Sequence, residues 1–116
     1  MKSPAVITAL GALAHEHRLA IYRLLVTRGP DGLPAGVIAE RIGLVPSSLS
    51  FHLQNLQRAG LITRQRDGRQ LIYAADFSAM KALVGYLTEN CCGSAPNCTP
   101  CAPGHVGKMR RSRTAA

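Results

Sequence analysis

Tryptophan is absent from this chain of 116 residues, and its aromatic residues are three tyrosines and two phenylalanines. The core must therefore consist mainly of Leu, Ile, Val and Ala side chains. Acidic residues are also scarce, because six Asp and Glu stand against fourteen Lys and Arg, for a formal net charge of +8. This balance favours an acidic polymer as the binding partner. No apolar run is long enough to span a membrane, so we expect a cytoplasmic protein without a membrane partner.

Cysteine is absent from the first 90 residues, and all four cysteines lie between Cys91 and Cys101. A secreted fold stapled by disulfides would scatter its cysteines through the core, so that class is disfavoured. The cluster instead indicates a metal, metalloid or redox site on a domain that folds without it. Composition thus divides the chain into a DNA-binding and dimerisation domain at 1–90, a cysteine-rich segment at 91–101 and a basic tail at 102–116, which we expect to be disordered.

A helix is predicted between Pro46 and Gly60, because proline is tolerated in a first helical turn and glycine commonly ends a helix. Leu49, Leu53 and Leu56 recur at the i, i+4 and i+7 positions of one apolar face. The other faces carry Ser47, Ser48, Ser50, His52, Gln54, Asn55 and Arg58, with no carboxylate among them. Because an acid near phosphate would be repelled, this surface suits a polyanion, and the helix fits a DNA major groove. The residues expected to contact DNA are Ser47, Ser48, Ser50 and His52.

Further helices are predicted before this one. Residues 16–28 and 34–42 have the helical spacing of apolar side chains, and Gly43 ends the second of them. The tight turn after Gly43 leads directly into the helix at 46–60, which makes a helix-turn-helix. A short first helix is expected to open at Ser3-Pro4, with serine as its cap.

A β-hairpin is predicted directly after the helix-turn-helix. Residues 61–66 and 69–74 alternate in part between apolar and polar side chains, and Asp67-Gly68 separates them. Such a pair favours a tight turn in which both residues take positive φ. A basic hairpin at this place is a wing, and we expect Arg66 and Arg69 near its tip to contact DNA phosphates.

The last helix is predicted to be capped by Asp76 or Ser78 and to carry apolar side chains as far as Leu87. Its apolar stripe is wide for a terminal helix, so we expect a partner subunit to cover it. The predicted fold class is mainly α with a small β-hairpin, as a dimeric winged helix-turn-helix. No catalytic arrangement of Ser or Cys with His and a carboxylate is recognisable, so we do not expect an enzyme.

On four stretches the chain resembles the ArsR/SmtB family of winged-helix repressors. These stretches are ALAHEHRLAI at 12–21, SFHL at 50–53, LQRAGLI at 56–62, and Gly68-Arg69 followed by Tyr73. The resemblance covers residues 4–90 and implies a homodimer that binds double-stranded operator DNA and leaves it when an ion binds. Phe51 stands where the family commonly has an arginine, so we expect no direct phosphate or base contact there.

The resemblance also implies which cysteines bind the ion. The family's Cys-Val-Cys site has no counterpart at 33–37, and its zinc site has none at 77–90, which contains no histidine. A third type of member binds trivalent arsenic through adjacent cysteines at the end of the last helix and one cysteine further on. Cys91, Cys92 and Cys98 match that spacing, so the implied inducer is arsenite or another trivalent arsenical such as methylarsenite.

Other functions for the cysteines stay open. Thiolates select soft ions, and trivalent arsenic takes three of them, whereas cadmium, lead or zinc would favour a site with Cys101 as a fourth ligand. A thiol-disulfide redox sensor on the same DNA-binding domain is a second possibility. The third is a small thiol enzyme or metal carrier, but Cys98-x-x-Cys101 would have to start a packed helix, which Pro100 and Pro103 keep short.

Overall fold

A computed structural model describes residues 1–94, and within them the chain forms five α-helices and three β-strands. The helices are α1 (Ser3–Leu13), α2 (Glu16–Arg28), α3 (Ala35–Ile42), α4 (Pro46–Arg58) and α5 (Phe77–Leu87). The strands are β1 (Leu33–Pro34), β2 (Ile62–Asp67) and β3 (Gln70–Ala75), and a short 3-10 turn at Cys91–Ser94 follows α5. The predicted fold class, a mainly helical winged helix-turn-helix with a hairpin, is confirmed.

Glycine and proline set the ends of the helix-turn-helix as the sequence predicts. α3 ends at Gly43, whose left-handed φ of +82° lets its N–H and that of Leu44 donate to the carbonyl of Ala39 at 2.8 and 3.0 Å. Pro46 then occupies the first turn of α4, and Gly60 follows that helix with a φ of +80°. The turn between the two helices is therefore short and hydrogen-bonded.

The caps of the outer helices were only partly predicted. Asp76 caps α5, because its Oδ1 accepts a hydrogen bond from the N–H of Ala79 at 3.1 Å. The predicted serine cap of α1 is wrong, since Ser3 already lies inside the helix and Lys2 precedes it without a side-chain cap bond. Lysine has no acceptor to offer the free N–H groups of a first turn.

The three strands form an antiparallel sheet in the order β1-β3-β2. In the β2–β3 hairpin Asp67 pairs with Gln70, so the two turn residues are Gly68 and Arg69. The prediction of Asp67-Gly68 as the turn is therefore wrong by one residue. Gly68 takes a φ of +64°, and within residues 1–94 no other residue of this hairpin has a positive φ. Such a turn needs glycine at its first central position only.

Sequence patterns did not predict β1, a strand of two residues that pairs Leu33 with Tyr73. Gly32 precedes it with a φ of +70°, and a Cβ atom there would collide with the carbonyl oxygen of Tyr73. Only glycine lets the backbone pass so close. β1 thereby ties the connection between α2 and α3 to the base of the hairpin.

The core of the first compact unit, Met1–Leu83, is aliphatic, as the composition predicts. Its largest fully buried side chains are Ile21, Leu25, Ile38, Leu53, Leu56 and Leu61. They come from α2, α3, α4 and the entry to β2, so these elements share one core. Leu49, Leu53 and Leu56 are all buried, which confirms the predicted apolar face of α4.

A second unit begins at Val84, and its described part, residues 84–94, holds the end of α5 and the turn that carries Cys91 and Cys92. Cys98, Cys101 and the tail at 102–116 lie outside the described residues, so the division into a cysteine-rich segment and a disordered tail stays a prediction. In the part of the chain that the structure describes, no helix is long and apolar enough to cross a membrane.

Candidate nucleic-acid interface and cysteine site

The outward face of α4 is polar except for Phe51. Its exposed side chains at the i, i+3, i+4, i+7 and i+11 positions are Ser47, Ser50, Phe51, Gln54 and Arg58. Ser48 is half-buried at the flank of this face. Asn55 is turned back on the helix, because its Nδ2 donates to the carbonyl of Phe51 at 2.9 Å. We refer to Ser47, Ser50, Phe51, Gln54 and Arg58 as the outward face of α4.

Carboxylates are absent from the segment that contains this face. No Asp or Glu occurs in residues 41–66, which run from the end of α3 through α4 into β2. The charged residues of the segment are Arg41, Arg58, Arg64 and Arg66, and all four are exposed. A surface of this kind attracts a polyanion along its whole length without a local repulsive group.

The hairpin carries its arginines into solvent. β2 is buried only at Ile62, and all its later residues are exposed. Arg66 lies opposite Leu71 near the end of the strand, and Arg69 is in the turn itself. Both side chains are exposed at the end of the wing, so they are accessible to a partner. That they contact phosphate stays a prediction.

His52 does not lie on the outward face, which corrects its predicted role as a DNA contact. Its side chain is only 7% exposed. The ring centroid lies 4.6 Å from that of His15 and 5.8 Å from that of His17, at the start of α2. His52 Nδ1 lies 3.5 Å from Nη1 of Arg18, whose Nε donates to the carbonyl of Ala12 at 2.7 Å. His52 thus joins α4 to the connection between α1 and α2.

The surroundings of His52 favour its neutral ring. Burial lowers the pKa of His52 below its ordinary value near 6.5, and the neighbouring His15, Arg18 and His17 lower it further. A neutral ring leaves Nδ1 able to accept from the Arg18 guanidinium, with the ring proton assigned to Nε2. The contact between His52 and Arg18 therefore lies within the fold, and it depends on the protonation state of the His52 ring.

A sequence signal for the burial of His52 was present. His52 follows Leu49 by three residues and precedes Leu56 by four, so it falls inside the apolar stripe of the helix. Its helical position therefore predicts burial, whereas its polar character alone predicts an exposed ring. The partner Arg18 lies 34 residues away in sequence, and no local pattern predicts that contact.

The cysteine pair lies beyond α5 and not on it. The helix ends at Leu87, and Cys91 donates its N–H to the carbonyl of Thr88 at 3.0 Å within the turn that follows. Asn90 and Cys92 both take a φ of +57°, in the left-handed region. Cys91 is half-buried and disulfide-bonded, whereas Cys92 is exposed. A disulfide sulfur is not a thiolate, so Cys91 can bind an ion only after reduction.

Two of the candidate ligands lie beyond the described residues. These are Cys98 and Cys101, so the predicted arsenic site at Cys91, Cys92 and Cys98 stays a prediction. Among residues 1–94, no group of three or more His, Cys, Asp or Glu side chains is arranged to hold a metal ion. This applies to the cluster of His15, His17 and His52 as well, which packs its rings against one another.

Comparison with known proteins agrees with this arrangement. A family model described as a helix-turn-helix domain matches residues 13–65. The chain is 30% identical over 90 residues to the transcriptional activator HlyU of Vibrio cholerae, an alignment that covers 78% of this chain and 81% of HlyU. It is 31% identical over 80 residues to the nodulation protein NolR of Rhizobium meliloti, covering 69% of this chain and 63% of NolR. The chain thus spans less than two thirds of that relative's length.

Solved structures of related proteins also resemble this chain. HlyU from Vibrio cholerae superposes with a TM-score of 0.62 at 30% identity, covering 78% of this chain and 95% of HlyU. The homodimeric winged helix-turn-helix DNA-binding domain of Mb0332 from Mycobacterium bovis, a possible ArsR-family transcriptional regulator, superposes with a TM-score of 0.60 at 28% identity, covering 75% and 81%. HlyU is a transcriptional activator and Mb0332 is a possible ArsR-family transcriptional regulator, so these two relatives are regulators of transcription and not enzymes. The chain belongs to the ArsR/SmtB family of winged-helix transcriptional regulators.

Proposed function

We propose that this regulator is a homodimeric repressor that binds double-stranded operator DNA and is released when trivalent arsenic binds Cys91, Cys92 and Cys98. The observation that carries the DNA-binding part is the segment 41–66, which contains four exposed arginines and no carboxylate. The adjacent pair Cys91-Cys92 carries the inducer part once Cys91 is reduced, because soft thiolates select thiophilic ions.

In this proposal α4 enters the major groove with its outward face. Ser47 and Ser50 hydrogen-bond to base edges or phosphates, and Ser48 does so from the flank. Arg66 and Arg69 on the wing contact the neighbouring backbone, which fixes the register of the protein on the duplex. His52 is excluded from the interface because it is buried, and it instead holds α4 in place through Arg18.

Dimerisation is supported by apolar side chains that remain in water in the single chain. In the first unit, Ile7 and Leu10 of α1 are 67% and 41% exposed. In the second unit, Val84, Tyr86 and Leu87 are all exposed on α5. Large side chains left in water on two helices favour burial against a second copy. A dimer would present two α4 helices about 34 Å apart, as successive major grooves require.

The inducer site needs three sulfurs drawn together after α5. Cys91 and Cys92 are adjacent in a tight turn, and Cys98 supplies the third sulfur from six residues further on. Cys101 offers a fourth sulfur, which cadmium, lead or zinc would favour. A coupling of about 1–3 kcal/mol between ion and operator would weaken DNA binding by about 5- to 150-fold.

A second candidate function, redox sensing by the same DNA-binding domain, is favoured by the disulfide at Cys91. Oxidation of the cysteines would then be the signal, and reduction of the disulfide would return the regulator to its thiol form. A reducing cytosol would keep the thiols available for an ion instead. The two functions differ in whether an ion is needed for release from DNA, so titration of ions under constant reductant separates them.

The test is fluorescence anisotropy of the full chain on its own promoter DNA, with a phosphine reductant held constant because thiol reductants compete for arsenic. Arsenite, methylarsenite, cadmium, lead and zinc are titrated separately. We expect release by trivalent arsenic alone. Release by cadmium, lead or zinc but not by arsenic would replace arsenic with a four-sulfur site. Release by peroxide alone, in samples without reductant, would establish redox sensing instead.

Variants of the cysteines test which of them bind the inducer. Cys91→Ser, Cys92→Ser and Cys98→Ser should each bind the promoter with unchanged affinity and lose the response to arsenite. Cys101→Ser is the matched control and should keep that response. An unchanged response in any of the first three variants would remove that cysteine from the site, and complete loss in Cys101→Ser would place a fourth sulfur in it.

A further inference from the structure

Phe51 is the one apolar side chain on the outward face of α4. It is 60% exposed, although the chain has only two phenylalanines. Its ring lies edge-on to the His52 ring, with centroids 5.6 Å apart. Ser47, Ser50 and Gln54 surround it at the neighbouring helical positions, and all three are exposed. The folded chain therefore leaves a large aromatic ring in water at the centre of a polar surface.

The chemistry of the major groove restricts what such a ring can read. Hydrogen-bonding groups on base edges suit the serines and Gln54, but phenylalanine has no donor or acceptor to offer them. The 5-methyl group of thymine is the apolar group that a base pair presents in this groove. Gln54, one turn along from Phe51, carries the amide that pairs with adenine, the partner base of thymine.

We propose that Phe51 is a specificity-determining residue that packs on the 5-methyl group of a thymine in each operator half-site. The proposal rests on the operator binding proposed above and is independent of the inducer. It adds a sequence requirement: an A·T pair, with its thymine methyl in the major groove, lies under the centre of α4. Removal of that methyl should weaken binding even though base pairing is unchanged.

Charge decides between DNA and a second copy of this chain as the occupant of this face. Arg58 lies on the same face, and Arg41, Arg64 and Arg66 are exposed in the same acid-free segment. A second copy of this surface would be repelled, because each copy carries the same sign of charge. A nucleic acid is attracted by the arginines and also supplies the apolar methyl that the ring needs.

The experiment measures binding to DNA in which thymine is replaced by uracil, which pairs in the same way and lacks the methyl group. The preferred site is first selected from a random-sequence duplex pool with the full chain. Each thymine is then replaced in turn in both half-sites, and dissociation constants are measured for the unaltered protein and for Phe51→Ala. We expect one or two positions at which uracil weakens binding about fourfold per half-site, the effect of one buried methyl group.

Phe51→Ala should bind thymine and uracil DNA equally at those positions, because the ring that contacts the methyl is gone. Leu19→Ala is the matched control, since Leu19 is a large apolar side chain that is 45% exposed on α2, outside this face. It should keep the full uracil effect. Circular dichroism checks that both variants retain the helical content of the unaltered chain.

The possible outcomes test different parts of the proposal. Equal binding to thymine and uracil DNA by the unaltered protein overturns the role of Phe51 but leaves operator binding intact. A uracil effect that persists in Phe51→Ala assigns the methyl contact to another residue and also overturns it. A change in sedimentation of Phe51→Ala without a change in the uracil effect makes the ring a protein contact. Failure to select any DNA sequence overturns the proposed function itself.

Discussion

The inward face of α4 carries Leu49, His52, Leu53 and Leu56, none of them more than 7% exposed, while Ser47, Ser50 and Gln54 on the outward face are exposed. Both faces belong to one helix of thirteen residues. The inward residues pack against α2, α3 and the sheet, so their size and shape are set by the core. The outward residues touch little of the protein, so their chemistry is available to a partner.

This difference separates stability from recognition within one helix. A substitution on the inward face changes the free energy of unfolding and tilts α4, so it affects DNA binding only indirectly. A substitution on the outward face or on the wing should change DNA binding with little effect on unfolding. His52 and Phe51 test this division most sharply, because they are adjacent in sequence, yet His52 is buried and Phe51 is exposed.

The largest effect is expected for Leu56→Ala on the inward face. Leu56 is fully buried, and removing three of its carbons leaves a cavity in a small core, which should lower the free energy of unfolding by about 2–5 kcal/mol. Gln54→Ala on the outward face is the matched control and should change the free energy of unfolding by less than about 0.5 kcal/mol. Urea denaturation followed by circular dichroism measures both. Similar decreases in the two variants would contradict the division of the helix into two faces.

A smaller effect is expected for Arg66→Ala on the wing. Without its guanidinium the protein should bind all DNA sequences more weakly, and the slope of log affinity against log salt should decrease by about 0.9 for each phosphate that is no longer neutralised. The measurement is a salt series by fluorescence anisotropy on operator and unrelated duplexes. Arg23→Ala removes another exposed arginine, one that lies on α2, and should leave the slope nearly unchanged. Equal slopes in Arg66→Ala and the unaltered protein would remove this residue from the DNA interface.

Sequence patterns predicted the parts of the fold that depend on local chemistry. The apolar spacing of Leu53 and its neighbours predicted the inward face of α4, and Gly43 and Pro46 predicted the turn before it. Hairpin formation was predicted as well, although the turn lies one residue later than expected because Gly68 alone takes positive φ. These features are fixed by interactions between residues a few positions apart.

Features that depend on distant contacts were missed. β1 exists because Leu33 pairs with Tyr73 across 40 positions, and two residues carry no alternation that a pattern could detect. The polarity of His52 predicts an exposed residue, but its ring is buried beside Arg18, which lies 34 residues away in sequence, so no local pattern shows that contact. The predicted site residues Ser47 and Ser50 and the two arginines of the wing are exposed, and their contact with DNA stays a prediction.

The smallest effect is expected from the pH dependence of stability at His52. Its pKa is lowered in the folded chain, so between that pKa and its ordinary value near 6.5 the unfolded chain binds more protons than the folded one. The free energy of unfolding should therefore be highest above about pH 6.5 and should decrease as the pH falls towards the lowered pKa. Urea denaturation at several pH values between about 7.5 and 5 measures this decrease.

Variants at the same cluster show whether His52 is the responsible group. His52→Gln should lose this component of the pH dependence, whereas His17→Gln, which removes the weakest of the four influences on His52, should retain it. Arg18→Met removes a positive charge beside the ring, so the pKa of His52 should rise towards its ordinary value in an NMR titration of the ring protons. An unchanged pKa in Arg18→Met would mean that burial and the neighbouring histidines keep the ring neutral without Arg18, and the guanidinium would then serve only to tie Ala12 to α2.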